Sequence, residues 1–421
     1  MSRRRTSRRG ARAALAGAAA GLALAAPAGP VTPAADPAAV ARGANLAHLG
    51  YCATCHTAPG GRPYGGGLAM STPFGVIYST NITPDEKTGV GRWREADFLR
   101  AMRSGTAPGG RQLYPAFPYD HFGRATDADI ADLYAFVSTL PPVSARTPAD
   151  RLIPPLGFRP LIAIWKALFL HERPIEPVRS RGPVWNRGLY LTESLSHCGG
   201  CHRPRNALGA ERPGPMSGGW VEGWYAPPLD ASSPALAPWA GETAERIETY
   251  LRTGLDPAHA AAAGPMGPVT RELSQASPAD VHAIAVYVAS LMPDRPGSGA
   301  ASDAEAGARA SPRGATLYAG ACASCHEPGA GMMQQGRPPL PLGTPLREAS
   351  PHDVLAIIIE GLSPPIGRSG PYMPAFEASF TDDQLADLAG YLRARFTTLP
   401  PWKELKAEAA KARREARAEG R

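Results

Sequence analysis

Cys52-Ala53-Thr54-Cys55-His56, Cys198-Gly199-Gly200-Cys201-His202 and Cys322-Ala323-Ser324-Cys325-His326 decide how this chain folds, and together they use all six of its cysteines. Two thiols three positions apart can add to the two vinyl groups of one haem, while the histidine that follows turns inward to bind the iron. Disulfides alone would not require a histidine after each pair. With 10 histidines in 421 residues, three such placements by chance are on the order of 1 in 70,000. Zinc would need four ligands gathered from distant pairs and held as thiolates. The expectation is therefore three covalently bound haem c groups, with His56, His202 and His326 as iron ligands.

The surroundings of the motifs repeat as well. Arg42-Gly43, Arg187-Gly188 and Arg313-Gly314 lie in a short apolar-periodic segment before each motif. Further on, three amphipathic segments end at Gly105, Gly254 and Gly361, which read as helix stops. A last helix follows in each third, opened by Thr126, by Ser277 with Pro278, and by Thr381 with Gln384. The expected fold is all-α: three tandem class I cytochrome c-like domains at 36–150, 183–295 and 312–400. Residues 296–311 read as a flexible linker of small and polar residues. The 151–182 connection is unusually apolar (Phe158, Leu161, Ile162, Ile164, Trp165, Leu168, Phe169, Leu170), as suits a strap buried on the second domain or a docking face. The charged tail at 401–421 reads as a solvated helix or as a segment lying on anionic lipid.

Residues 1–28 combine six arginines, an apolar stretch from Ala13 to Ala26 and small residues before the expected cleavage point. That is a signal peptide, too short to span a membrane. Its removal lowers the formal net charge from +7 to about +1, so the basic character is mostly an address and does not point to nucleic acid. Haem is attached to c-type cytochromes outside the cytoplasm, so the expected location is the periplasm.

An iron that only carries electrons needs a second axial ligand. Twelve residues beyond the second and third helix stops stand Met266 and Met373. The same count in the first domain reaches Phe117, which cannot bind iron. His121, four residues on, is the nearest competent donor; Met70 and an open iron position are the alternatives. Met216, Met292, Met332 and Met333 fall outside the repeated position, and Met102 sits where the other helices carry core residues.

The segments Cys52 to Gly61, Thr72-Pro73-Phe74-Gly75 through Asp85, and Leu113-Tyr114-Pro115-Ala116-Phe117-Pro118-Tyr119 resemble the trihaem cytochrome c subunits of periplasmic dehydrogenase complexes. These serve quinoprotein alcohol dehydrogenases, flavin-dependent gluconate, sorbitol and fructose dehydrogenases, and molybdenum-dependent aldehyde or N-heterocycle hydroxylases. The resemblance implies a non-catalytic subunit that takes electrons from a catalytic dehydrogenase partner and passes them to ubiquinone or a terminal oxidase. It also implies attachment to the outer face of the cytoplasmic membrane. Many alcohol-dehydrogenase relatives have Met where this chain has Phe117; the Phe117-Pro118-Tyr119-Asp120-His121-Phe122 version looks like the molybdenum-hydroxylase branch. The competing readings are a stand-alone multihaem peroxidase or reductase working at the first haem, and a soluble electron shuttle.

Overall fold

The computed structural model describes residues 36–171, 174–234, 243–257, 261–292, 302–330, 338–367 and 372–418. The signal peptide read at 1–28 and the first part of the 296–311 linker lie outside them. The described chain is mostly helical, with three small antiparallel sheets that the all-α expectation did not include.

Each motif is preceded by an opening helix: Pro37–Leu49, Pro183–Glu193 and Pro312–Ala321. All three start on proline, whose fixed φ suits the first turn and whose missing N–H is an orphan there anyway. The Asp36 and Ser311 side chains cap the first and third by accepting from the N–H groups of Ala38 and Gly314.

The repeated Arg-Gly pair has a structural cause. Each opening helix crosses a closing helix, Asp127–Thr139, Pro278–Leu291 or Asp382–Phe396, with the glycine at the crossing. A Cβ at Gly43, Gly188 or Gly314 would be driven into the backbone carbonyl of Asp132, Ala283 or Asp387, and then against the Cβ of Phe136, Tyr287 or Tyr391. Only glycine lets the backbones meet this closely. The neighbouring arginine reaches the same closing helix: Arg42 to Asp132 at 2.6 Å, Arg187 to Asp280 at 2.8 Å and Arg313 to Asp387 at 3.2 Å. The middle helices Glu95–Ser104, Thr243–Thr253 and His352–Glu360 stop at Gly105, Gly254 and Gly361, with φ of 58°, 75° and 73°.

One hydrophobic cluster runs through both of the first two repeats, from Leu46, Leu49, Ile130 and Leu133 to Leu191, Val281 and Ile284. Each such side chain, fully buried, contributes about 2 kcal/mol. Polar contacts between these repeats are reciprocal. Asn45 of the first opening helix donates to Asp280 at 2.7 Å and accepts from the Ser277 N–H at 2.6 Å; Tyr190 of the second accepts from the Thr126 N–H at 3.0 Å and donates to Asp129. Ser277 therefore starts its helix through Asn45, not through its own side chain. The third repeat has a separate cluster around Leu355, Ile359, Leu385 and Leu388. It is tied to the second where the Tyr225 N–H donates to Asp353 at 3.0 Å and Trp220 meets His352 edge-on at 5.4 Å.

Three connecting segments are more ordered than their composition indicates. In the 151–182 connection, Arg151–Leu152 adds a third strand to the hairpin Ala69–Thr72/Gly75–Tyr78. Helix Leu161–Phe169 then packs mainly on the first repeat: Ile162 is buried, Lys166 donates to the Gly105 carbonyl at 2.6 Å, and Trp165 donates to the Leu208 carbonyl of the second at 2.9 Å. Its other side is bare, with Ile164 60 % and Leu168 57 % exposed, and Phe158 and Ile153 earlier in the same connection are exposed as well. In the linker, Ala304–Ala310 is a helix lying against the third closing helix, where Gly307 fits beside Tyr391 and Arg395. The charged tail forms helix Leu405–Ala418, which buries Ala409, Ala412 and Ala416 on the third repeat and pairs Arg413 with Asp382 at 2.7 Å. Small residues at spacings of three and four make that face flat enough to dock, a pattern masked by the charges around it.

Candidate haem sites

The first two thiols and their histidine form one helical turn directly after the opening helix, at Cys52–Cys55 with His56. Gly199–His202 and Ala323–His326 are the corresponding turns, following Cys198 and Cys322. All six cysteines are free. Burial pushes Cys52, Cys198 and Cys201 up to about 12, and Cys55 and Cys322 to about 11, so these free thiols are neutral.

The histidines fit a haem iron. The His56 Nδ1 is 2.6 Å from the Thr80 carbonyl, and the His202 Nδ1 is 2.7 Å from that of Pro227. A carbonyl only accepts, so each Nδ1 carries the hydrogen and each Nε2 keeps its lone pair for a metal. Burial lowers the pKa of both rings, which keeps them neutral and ready to coordinate. Each carbonyl comes just after a short hairpin, Ala69–Thr72/Gly75–Tyr78 in the first repeat and Gly219–Val221/Trp224–Ala226 in the second. Sequence reasoning missed these hairpins. The available signal was Glu222-Gly223, both at positive φ (47° and 73°) as a tight two-residue turn requires. In the third turn His326 takes the same place, and Arg395 holds its neighbour Glu327 at 2.7 Å.

The expected methionine ligands follow the helix stops, Met266 heading a helix and Met373 lying in a loop. The Ala262 N–H donates to the Gly254 carbonyl at 2.8 Å, and Met266 follows four residues later at the start of helix Met266–Leu273. In the first repeat the Leu113 N–H donates to Gly105 at 2.8 Å, and the residue four further on is Phe117. Met373 is arranged differently: it pairs with Leu362 in an isolated bridge, its N–H donating to the Leu362 carbonyl at 3.2 Å. Met102 and Met216 are core residues, and Met292 packs on the first cluster. Met332 and Met333 lie outside the described residues.

His121 is not placed as the sequence reading expects. It is 3 % exposed, and neither ring nitrogen is available: Nδ1 donates to the Glu193 carbonyl at 3.1 Å and Nε2 to Glu211 Oε1 at 2.8 Å. Burial opposes its charge, but Glu211 and Asp120 outweigh burial and raise its pKa. Burial likewise opposes a charge on Glu211, which is nonetheless held well below the usual carboxylate range by His121, Arg205 and Arg203. Arg203 also bridges to Glu193 at 2.7 Å, and Arg124 reaches Glu193 at 3.1 Å. His121 thus sits in a network of ion pairs and hydrogen bonds linking the first two repeats. With both ring nitrogens engaged by oxygen acceptors, this arrangement leaves no lone pair directed to an iron.

The first two attachment turns also touch. Tyr51 and His197, each immediately before the first cysteine of its motif and each at positive φ, meet edge-on with centroids 5.3 Å apart. Burial pushes His197 down to about 4, so this contact is between two neutral rings. The third motif has Ala321 at that position.

Comparison with known proteins agrees with this geometry. Residues 40–141 match the cytochrome c family, and residues 309–392 match the family of cytochrome c oxidase, cbb3-type, subunit III. A nicotinate dehydrogenase subunit of Pseudomonas putida is 43 % identical over 367 residues, covering 86 % of this chain; the chain spans about a third (31 %) of that longer protein. The fructose dehydrogenase cytochrome subunit of Gluconobacter japonicus is 36 % identical, over 82 % of this chain and 76 % of its own length. The gluconate 2-dehydrogenase cytochrome c subunit of Pantoea cypripedii is 34 % identical, over 80 % and 81 %. With the attachment turns and iron-ready histidines in place, the chain belongs to the multihaem cytochrome c subunits of dehydrogenase complexes and holds its haem c covalently.

Proposed function

We propose that the chain carries three haem groups in three tandem class I cytochrome c domains (36–150, 183–295 and 312–400) and relays electrons from a catalytic dehydrogenase subunit to ubiquinone or a terminal oxidase. The thioether bonds form at Cys52 and Cys55, Cys198 and Cys201, and Cys322 and Cys325; His56, His202 and His326 are the first axial ligands, with Met266 and Met373 as the second in the later two domains. Bound haem supplies the one-electron chemistry, and the protein contributes position, ligands and exclusion of water. The observation that carries this reading is the glycine crossing at Gly43, Gly188 and Gly314, which recurs shortly before the first cysteine of every attachment motif.

For the partner, the Phe117 to Phe122 version of the first-domain loop and the likeness to a subunit named for nicotinate favour a molybdenum hydroxylase acting on an aromatic N-heterocycle, ahead of the flavin and quinoprotein classes. For location we favour the periplasm, on the outer face of the cytoplasmic membrane. No helix among the described residues is long and apolar enough to cross a membrane, while Ile153, Phe158, Ile164 and Leu168 together offer an apolar surface for peripheral contact. Affinity purification of the tagged chain from native membranes tests the reading: recovery with a large dehydrogenase subunit is expected, and recovery as a lone soluble protein would overturn it.

A further inference from the structure

We propose that, among the described residues, no methionine or histidine serves the first haem site on the iron face opposite His56, and that this site binds a small uncharged ligand of the carbon monoxide class. The proposal rests on the three-haem reading above.

Phe117 stands where the second repeat has Met266. In both repeats the residue bonded to the stop-glycine carbonyl, Leu113 or Ala262, comes four positions earlier, so the two loops are in register. A phenyl ring has no lone pair for iron. His121 is the next donor along, but swinging it away would give up its 2.8 Å bond to Glu211, leaving that carboxylate with Arg203 and Arg205 at 3.8 Å, and would break the link to the Glu193 carbonyl. Met70 lies on the hairpin that leads to Thr80, whose carbonyl holds His56. Its counterpart in the second repeat, one pair in from the hairpin's outer end, is Trp220 opposite Tyr225, and there the methionine comes from the other loop. Met102 is 6 % exposed in the core, the His48 ring is bonded to Glu272 at 2.8 Å, and Lys166 is engaged by Gly105 and Gln112.

The surroundings of Phe117 are aromatic. Phe117 packs on Phe122 with ring centroids 5.4 Å apart and on Tyr119 at 6.3 Å. Apolar rings give a bound ligand no hydrogen bond, which suits an uncharged ligand such as carbon monoxide that needs none.

The test uses the mature holoprotein, its haem content first fixed by intact mass and the pyridine haemochrome spectrum. A count below three would remove the underlying reading and not the ligand argument. On protein with three haems, carbon monoxide added after reduction is expected to shift the Soret absorption of one haem in three, and the oxidised protein is expected to show one high-spin electron paramagnetic resonance signal. Phe117→Met should abolish both and add a methionine-to-iron charge-transfer band, while His121→Ala should leave carbon monoxide binding unchanged. Three low-spin irons with no carbon monoxide binding in the wild type would overturn the proposal. So would binding that appears only in His121→Ala, since that result would make His121 the ligand.

Discussion

Two glycines in one helix are expected to respond oppositely to the same substitution. In the opening helix Pro312–Ala321, a Cβ on Gly314 would enter the Asp387 carbonyl and the Tyr391 side chain, whereas a Cβ on Gly320 meets nothing within 4 Å. Gly314→Ala must push two helices apart against backbone that cannot rotate away, which sets the cost near the upper end of overpacking, about 3 kcal/mol. Gly320→Ala gains helix propensity at no steric cost, up to about 1 kcal/mol and less near a helix end. Arg313→Ala, next to the crossing, separates steric from ionic effects. Its pair with Asp387 is formed by an arginine side chain that is 71 % exposed, so its loss should cost under about 1 kcal/mol. The assay is denaturant unfolding of the holoprotein with hydrogen exchange read on the third repeat. Because that repeat has its own hydrophobic cluster, lost protection in Gly314→Ala should be confined to it. A Gly314→Ala protein within about 0.5 kcal/mol of wild type would refute the claim that close backbone approach explains the repeated glycine.

Tyr51→Ala should cost about 3–5 kcal/mol by opening a void between the first two attachment turns, while Tyr51→Phe keeps the ring contact with His197 and should cost under about 1 kcal/mol, both read by denaturant unfolding. Glu211→Gln should destabilise most between pH about 4.5 and 6.5, the unfolded values of Glu and His. Glu211's folded pKa is lowered, so its contribution is lost as pH falls through that value; His121's is raised, so its contribution is lost as pH rises through it. The gap between wild type and variant should therefore narrow at high pH to what Arg203 and Arg205 contribute, and a gap that stays constant would exclude the His121 pair as its cause. Replacing both Ile164 and Leu168 with Glu should change stability by under about 0.5 kcal/mol each, because both are exposed, yet reduce co-sedimentation with anionic vesicles; undiminished binding would place the membrane contact elsewhere.

Local chemistry made much of this molecule legible from its residues. The helical turns at the three motifs, the stop glycines and the Thr126 and Thr381 caps each depend on a few adjacent side chains, and could be read directly, whereas the Ser277 helix start depends on Asn45 from another repeat. The Arg-Gly pair was visible as a repeat, but its reason, a helix crossing contacted 73 to 95 residues away, is a tertiary fact. The placement of His121 was hidden for the same reason. Its partners Glu193 and Glu211 come from another repeat, 72 and 90 residues on, and no spacing within the first repeat could reveal them. The tail misled because charge dominates its composition, while the three alanines that dock it carry little signal singly. The continuous cluster joining the first two repeats was equally hidden, since each apolar stripe looks complete within its own domain.

The central claim is the number and placement of the haem groups, and intact mass spectrometry of the mature protein tests it most directly. Wild type is expected to carry three haems per chain, and replacing both cysteines of one motif by serine, at 52 and 55, at 198 and 201, or at 322 and 325, should remove one haem each. A wild-type mass with two haems, or a motif whose loss leaves the mass increment unchanged, would contradict the account.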